Sequence, residues 1–302
     1  LDEIGWPRFA ALLREPADTD TLVRRALAEP VAHARPLQRA ADRLLADPRG
    51  PVLMIVEAPM GEGKTELAFL AYLRLQAANG HRGMYVALPT QATGNAMFER
   101  ALTFLSAFAS NMRLDIQLVH SAASLNDRVP RLGDINASTD ESIASSTWFS
   151  QRKRSLLSPY GAGTIDQALL ATLNVKHHFV RLWGLANRVV VLDEIHAYDT
   201  YTEELIEALL RWLKAMNCSV ILMSATLPNA RREALLRSWG TSQVPDIPYP
   251  RILLVNDGQA VGEHVACRSL TPIAVSGIAE DLETIAQTAL SALDRGGCGA
   301  VI

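Results

Sequence analysis

Two short polar clusters, each following an apolar run, hold the residue types from which chemistry could be built. The first is Ala58-Pro59-Met60-Gly61-Glu62-Gly63-Lys64-Thr65-Glu66, directly after Val52-Leu53-Met54-Ile55-Val56-Glu57. Glycines at 61 and 63 let backbone N–H groups approach a polyphosphate closely, and a helix starting near Lys64 adds the positive end of its dipole. In such a loop the lysine ammonium reaches the β- and γ-phosphates of ATP, and the Thr65 hydroxyl ligates the accompanying Mg²⁺. The second cluster is Asp193-Glu194-Ile195-His196, after Arg188-Val189-Val190-Val191-Leu192. A carboxylate at a strand tip supplies the other Mg²⁺ ligand, Asp193, while Glu194 orients or deprotonates the attacking water. Lys64, Asp193 and Glu194 are therefore the expected catalytic set, Thr65 and Asp193 the metal ligands, and residues 58–66 the nucleotide loop. An ordinary Gly-rich turn and an acid-rich helix start are the plainer readings. They account less well for Gly-Lys-Thr after one apolar strand and an acid pair after another.

Further clusters stand in similar places. Pro89-Thr90-Gln91, with Asn95 beyond, follows the strand-like Met84–Leu88, and on local grounds it reads equally as a helix-capping loop with Thr93 or Asn95 as cap. Gly163-Thr164, with Gln167, stands at a strand-to-helix turn, and Ser224-Ala225-Thr226 follows the strand Ser219–Met223. Gln38 offers one donor and one acceptor, enough to read an adenine edge, but a lone Gln is also an ordinary surface residue. Arg152, Lys153 and Arg154 adjoin Trp148 and Phe149, a pattern fitting either a nucleic-acid backbone contact or a solvated basic turn.

These clusters need strands to hold them. Apolar runs alternate with helical patterns along the chain, which predicts an α/β fold with a mainly parallel twisted sheet and helices on both faces. An apolar content of 49% in 302 residues supports a substantial core. No run approaches the ~20 apolar residues of a membrane span, and the N-terminus lacks a leader pattern, so a cytoplasmic protein with no membrane partner is expected. Cys218, Cys267 and Cys298 are odd in number and far apart, which argues for reduced thiols. A net charge of -3 excludes a broadly basic nucleic-acid binder, so any DNA contact must be local. Residues 1–34 read as a helical connector from a missing N-terminal domain. Residues 35–240 read as the nucleotide-binding domain, with 122–147 a mobile polar insertion, and 241–302 as a linker with the start of a second domain, with candidate strands at 252–255 and 272–275.

The small-x-x-Gly-x-Gly-Lys-Thr loop, opened by Ala58 where the general pattern has Gly, resembles motif I of superfamily 2 helicases. Pro89-Thr90-Gln91, Gly163-Thr164 and Ser224-Ala225-Thr226 resemble their motifs Ia, Ib and III, and Gln38 their adenine-reading Gln. The stretches 86–98, 161–169 and 192–199 are more particular. They closely resemble the signature helicase-nuclease of type I CRISPR interference, with I-E as the expected subtype. That resemblance covers roughly residues 35–230 and implies a RecA-like P-loop domain; another superfamily 2 DNA repair or RNA helicase and a nucleotide-switched binding module are the rival readings of the same motifs. The resemblance further implies recruitment to an RNA-guided type I surveillance complex, where the displaced single-stranded DNA is reeled in 3′ to 5′ and degraded. Pro89, Thr90, Gln91, Asn95, Arg152, Lys153, Arg154, Gly163, Thr164 and Gln167 are then expected to face DNA. His196, Ser224 and Thr226 are expected to couple that face to the nucleotide. The family's HD nuclease and second RecA-like domain, with its arginine finger, are absent from this sequence, so the chain by itself is expected to bind ATP far better than it hydrolyses it.

Overall fold

A computed structural model describes residues 11–108, 114–119, 143–144, 155–176, 178–195, 200–268 and 277–293. In chain order the elements are α1 (Thr19–Leu27), α2 (Pro36–Leu44), β1 (Val52–Glu57), α3 (Lys64–Asn79), β2 (Met84–Leu88), α4 (Gln91–Phe108), β3 (Leu114–Val119) and β4 (Ile143–Ala144). There follow β5 (Tyr160–Thr164), α5 (Ile165–Leu169), α6 (His178–Leu185), β6 (Val189–Leu192), α7 (Thr200–Ala215), β7 (Ser219–Ser224), α8 (Asn229–Trp239), β8 (Arg251–Asn256), β9 (Gln259–His264) and α9 (Leu282–Leu293).

The strands lie in the order β4-β3-β5-β2-β6-β7-β1-β8-β9. Neighbours from β4 to β1 pair in parallel, and β8 and β9 then add an antiparallel edge. A parallel sheet needs crossover helices, which bury both of its faces and explain why the interiors of β1, β2, β6 and β7 are continuous apolar runs rather than alternating, with Glu57, Ser219 and Ser224 only at strand ends. Successive residues of β1 feed two different cores. Val52, Met54 and Val56 join the layer of α1 to α4, whereas Leu53 and Ile55 join the layer of α5 to α8. Helix α3 is buried almost all round, because it lies against the sheet beneath α1 and α2. All parallel strands therefore end along one edge, where open α/β sheets bind their ligands.

Three expectations change. Residues 1–34 are not merely a connector, since α1 buries Leu22, Val23 and Ala26 in the main core and Arg25 Nε donates to Ala107 O at 2.8 Å. The expected boundary at 240 is too early. Strands β8 and β9 complete the first sheet, so its compact unit runs from Leu1 to Cys267. Helix α4 begins at Gln91, and its cap is Thr90 rather than Thr93 or Asn95: Thr90 Oγ1 accepts from the Thr93 N–H at 3.3 Å. The second compact unit, Arg268–Ile302, contains α9, while the strand expected at 272–275 lies outside the described residues. Most of 122–147 lies outside them too, apart from β4 beside β3. Among the described residues no helix is long and apolar enough to cross a membrane. Cys218 is buried and Cys267 half-buried, and neither is in a disulfide.

Candidate active site

Between β1 and α3 the chain turns through residues 58–63 with Gly61 at φ 79° and Gly63 at φ 81°, conformations that side chains disfavour. At Gly63 there is a second constraint, because a Cβ there would meet Gln38 Nε2 at 2.5 Å. Ala58 is fully buried and its N–H donates to Ser224 O at 3.2 Å, which tethers the start of the loop to the end of β7. Lys64 is the first residue of α3, and its ammonium donates to Ala58 O at 2.7 Å and Pro59 O at 3.4 Å. Those carbonyls serve as acceptors that phosphate oxygens could replace. Burial lowers the Lys64 pKa, opposed by the negative charges of Glu194 and Asp193.

The acid pair closes the other side. Strand β6 ends at Leu192, and the Asp193 N–H donates to Ala87 O at 2.9 Å, fixing the turn against β2. Glu194 takes a left-handed φ of 53° and donates its N–H to Asp193 Oδ1 at 2.9 Å. Such a backbone is costly for a non-glycine residue and is a recurrent feature of functional sites. The Asp193 pKa is raised, first by burial and then by the Glu194 charge, against the lowering effects of the Glu194 N–H, Lys64 and Arg100. Lys64, Thr65, Asp193 and Glu194 line one cavity of about 640 Å³. The donors fit Mg²⁺: a hydroxyl and a carboxylate are hard oxygen ligands, and this ion usually takes its remaining ligands from water and phosphate. Among the described residues there is no cluster of three or more His, Cys, Asp or Glu that could hold a metal. A cation between them would also relieve the repulsion that raises Asp193.

Several lining residues carry no sequence signal of their own. Arg100 of α4 donates Nη1 to Thr65 Oγ1 at 3.0 Å and Nη2 to Glu66 Oε1, placing a cation beside the expected metal ligand. Arg35 donates to Gly61 O, and Val23, Leu27 and His33 bring α1 and its following turn into the wall. Only tertiary packing brings these residues near the loop, so no local spacing could mark them. Gln38 is not a surface side chain, being 3% exposed. Its Oε1 accepts from the Arg35 N–H at 2.9 Å and its Nε2 donates to Gly63 O at 3.3 Å, so the amide braces the loop from below. Within the loop Glu62 is buried and Met60 protrudes, 75% exposed.

The residues expected to face DNA are only partly gathered. Leu88 pairs with Thr164 and Ala87 with Gly163, so the tips leading to Pro89-Thr90-Gln91 and Gly163-Thr164 are neighbours. The Thr90 hydroxyl is engaged in capping α4, Thr164 is buried, and Gln167 Oε1 accepts from Arg181 Nη1 at 2.8 Å. Asn95 lies on the first turns of α4, while Pro89 lines the cavity itself. Ser224 Oγ donates to Thr226 O at 2.7 Å, a contact within its own loop. His196, Arg152, Lys153 and Arg154 lie outside the described residues.

Comparison with known proteins identifies the family and the fold. Residues 35–234 match the DEAD/DEAH box helicase family. The CRISPR-associated endonuclease/helicase Cas3 of Thermus thermophilus is 46% identical over 317 aligned residues, spanning 100% of this chain and 33% of that protein. The crystal structure of T. fusca Cas3 with ATP superposes with a TM-score of 0.77 at 32% identity, over 95% of this chain and 34% of that one. A chain of a CRISPR RNA-guided surveillance complex in its pre-nicking state superposes at 0.58 with 30% identity, over 86% of this chain and 29% of that one. The chain thus spans about a third of the length of these relatives. The expected α/β fold, RecA-like with a mainly parallel sheet, is the fold found.

Proposed function

The chain belongs to the DEAD/DEAH box helicase family, and from that premise we propose that it is the ATP-binding motor domain of a CRISPR-associated single-stranded DNA translocase. The observation behind this reading is the convergence of Lys64, Thr65, Asp193 and Glu194 on one cavity at the C-terminal edge of a parallel sheet. Lys64 leaves its carbonyl partners to hold the β- and γ-phosphates, and the N–H groups at the start of α3 bind them from the loop side. Thr65 and Asp193 would hold Mg²⁺, which supplies charge neutralisation at the β- and γ-oxygens. Glu194, beside Asp193, takes the proton of the attacking water. Arg100 neutralises Glu66 and stands ready to share the added negative charge.

In the longer protein that its relatives represent, residues 268–302 lead into a second RecA-like domain, whose arginine completes the hydrolytic site. A nuclease domain outside this sequence cuts the DNA. The tips of β2 and β5, with Pro89, Thr90, Gln91, Gly163 and Thr164, hold a single strand through its phosphates without reading bases. Arg152, Lys153 and Arg154 extend that contact, and an RNA-guided surveillance complex in the cytoplasm delivers the strand. The direct test is titration of the chain with a fluorescent ATP analogue and Mg²⁺. Saturable binding that Lys64→Ala weakens at least tenfold is expected, and absence of binding by the unaltered chain would remove the basis of this reading.

A further inference from the structure

We propose that Glu57 is a positioning residue that couples the phosphate loop to the loop after β7, through a clasp made with Arg232. Glu57 ends β1 immediately before Ala58, and in sheet register it stands between Ser224 of β7 and Arg251 of β8. Its carboxylate is 1% exposed. Arg232 grips it as a fork, with Nε at 2.6 Å from Oε2 and Nη2 at 3.0 Å from Oε1. The same guanidinium donates to Leu227 O at 3.1 Å and Asn229 Oδ1 at 2.9 Å, while the Leu227 N–H donates to Glu57 Oε1 at 3.2 Å. Arg251 Nε adds a contact to Oε2 at 3.0 Å from β8, a strand beyond the residues that match the helicase family.

A dry carboxylate shared by two guanidiniums and an N–H is expensive to desolvate and is not required for strand pairing, which apolar side chains would serve as well. Its placement suggests what it serves. Ala58 stands between Lys64, from which its carbonyl accepts, and Ser224, to whose carbonyl its N–H donates. Drawing Lys64 toward phosphates frees the Ala58 carbonyl and lets that residue shift. Glu57, one residue earlier, carries the shift through Arg232 into 225–229 as a single body. This inference rests on the nucleotide reading of the cavity given above.

The experiment is hydrogen–deuterium exchange on the chain with and without ADP and Mg²⁺, comparing amides 58–66 with amides 225–230. In the unaltered chain nucleotide is expected to slow both segments by about fivefold or more. In Arg232→Lys, which keeps the charge but cannot form the fork, only 58–66 should be slowed. If Arg232→Lys does not fold, Glu57→Gln, of the same shape without the charge, is read in the same way. Equal protection of 225–230 in the variant overturns the proposal, as does its absence in the unaltered chain when 58–66 is protected. No protection at 58–66 in the unaltered chain removes the nucleotide reading and this inference with it.

Discussion

The two ends of the same parallel strands both hold buried or half-buried cations, and they use them in opposite ways. At the N-terminal end Arg82 donates Nε to Ala186 O at 2.7 Å and Nη2 to Gly184 O at 2.6 Å, and also to Trp183 O, at the C-terminus of α6. A cation there meets the negative end of a helix dipole and satisfies its last carbonyls. Arg188 beneath it is fully buried and donates Nη2 to Leu156 O at 2.8 Å. Burial brings the Arg82 pKa down to about 10 and lifts the Cys218 thiol nearby to about 11. At the C-terminal end Lys64 stands at the start of α3, the positive end of a dipole, where an anion is the favoured occupant. A buried cation at a helix C-terminus belongs to the fold, whereas one at a glycine-loop N-terminus facing two carboxylates is placed for a ligand.

If that contrast holds, substitutions at one end change chemistry without stability, and those at the other change stability without chemistry. The largest effect is expected for Glu194→Gln in a protein that includes the second motor domain. Its kcat for ATP should fall by about 10²–10⁴-fold, the worth of a general base, with nucleotide affinity changed less than about twofold. Phosphate release and nucleotide titration measure the two quantities, and a parallel loss of affinity would place Glu194 in ground-state binding instead.

At the opposite end, Arg82→Ala should lower stability by about 3–5 kcal/mol, since it leaves the α6 carbonyls buried without a donor. Denaturant unfolding reads this, while nucleotide affinity of the folded chain should not move. A smaller effect is expected for Lys64→Ala. Loss of charge-assisted bonds to phosphate, about 1.5–3 kcal/mol, predicts nucleotide binding roughly 10–100-fold weaker. The nucleotide-free melting temperature should stay level or rise slightly, because a cation leaves the positive end of a helix. A clear fall would make Lys64 a structural cation like Arg82.

The site end was the more legible one for a physical reason. Lys64, Thr65, Asp193 and Glu194 each lie within a few residues of an apolar strand, so spacing alone reports their position at a sheet edge. The same logic marks β1, β2, β6 and β7, whose two buried faces give them apolar interiors with no alternation. It failed where packing rather than spacing decides. Arg100 reaches Thr65 from another helix, α1 forms a cavity wall from a Pro-flanked segment, and Gln38 is buried against Gly63 although it is itself polar. The run 252–255 reads as a strand, but nothing in its spacing tells that β8 belongs to the first sheet rather than to a linker, since Pro245, Pro248 and Pro250 separate it from the preceding helix. The antiparallel pairing of β8 with β1 depends on a partner some two hundred residues earlier, and β9 follows by pairing with β8.

The smallest predicted effect tests the electrostatic half of the contrast. Burial, and then the neighbouring Glu194 charge, raise the Asp193 pKa above its usual 3.8. The folded chain therefore holds that proton more tightly than the unfolded one, so protonation at Asp193 supports the fold. Stability from this source is present at low pH and is lost as pH rises through the window above 3.8. Asn cannot ionise, so Asp193→Asn should melt slightly higher than the unaltered chain at pH 7 without nucleotide, by roughly 1–2 °C. The gap should close as pH falls through that window, where the native carboxyl takes up its proton. With Mg²⁺ and ADP present the order should reverse, because the ligand-linked gain in melting temperature requires the ionised carboxylate. Differential scanning fluorimetry of both chains across pH, with and without nucleotide, decides the matter. A variant that melts lower than the unaltered chain at pH 7 without nucleotide would mean that the Asp193 charge is held by a favourable partner, as Asp42 is by Arg74, and is not kept in tension for a metal.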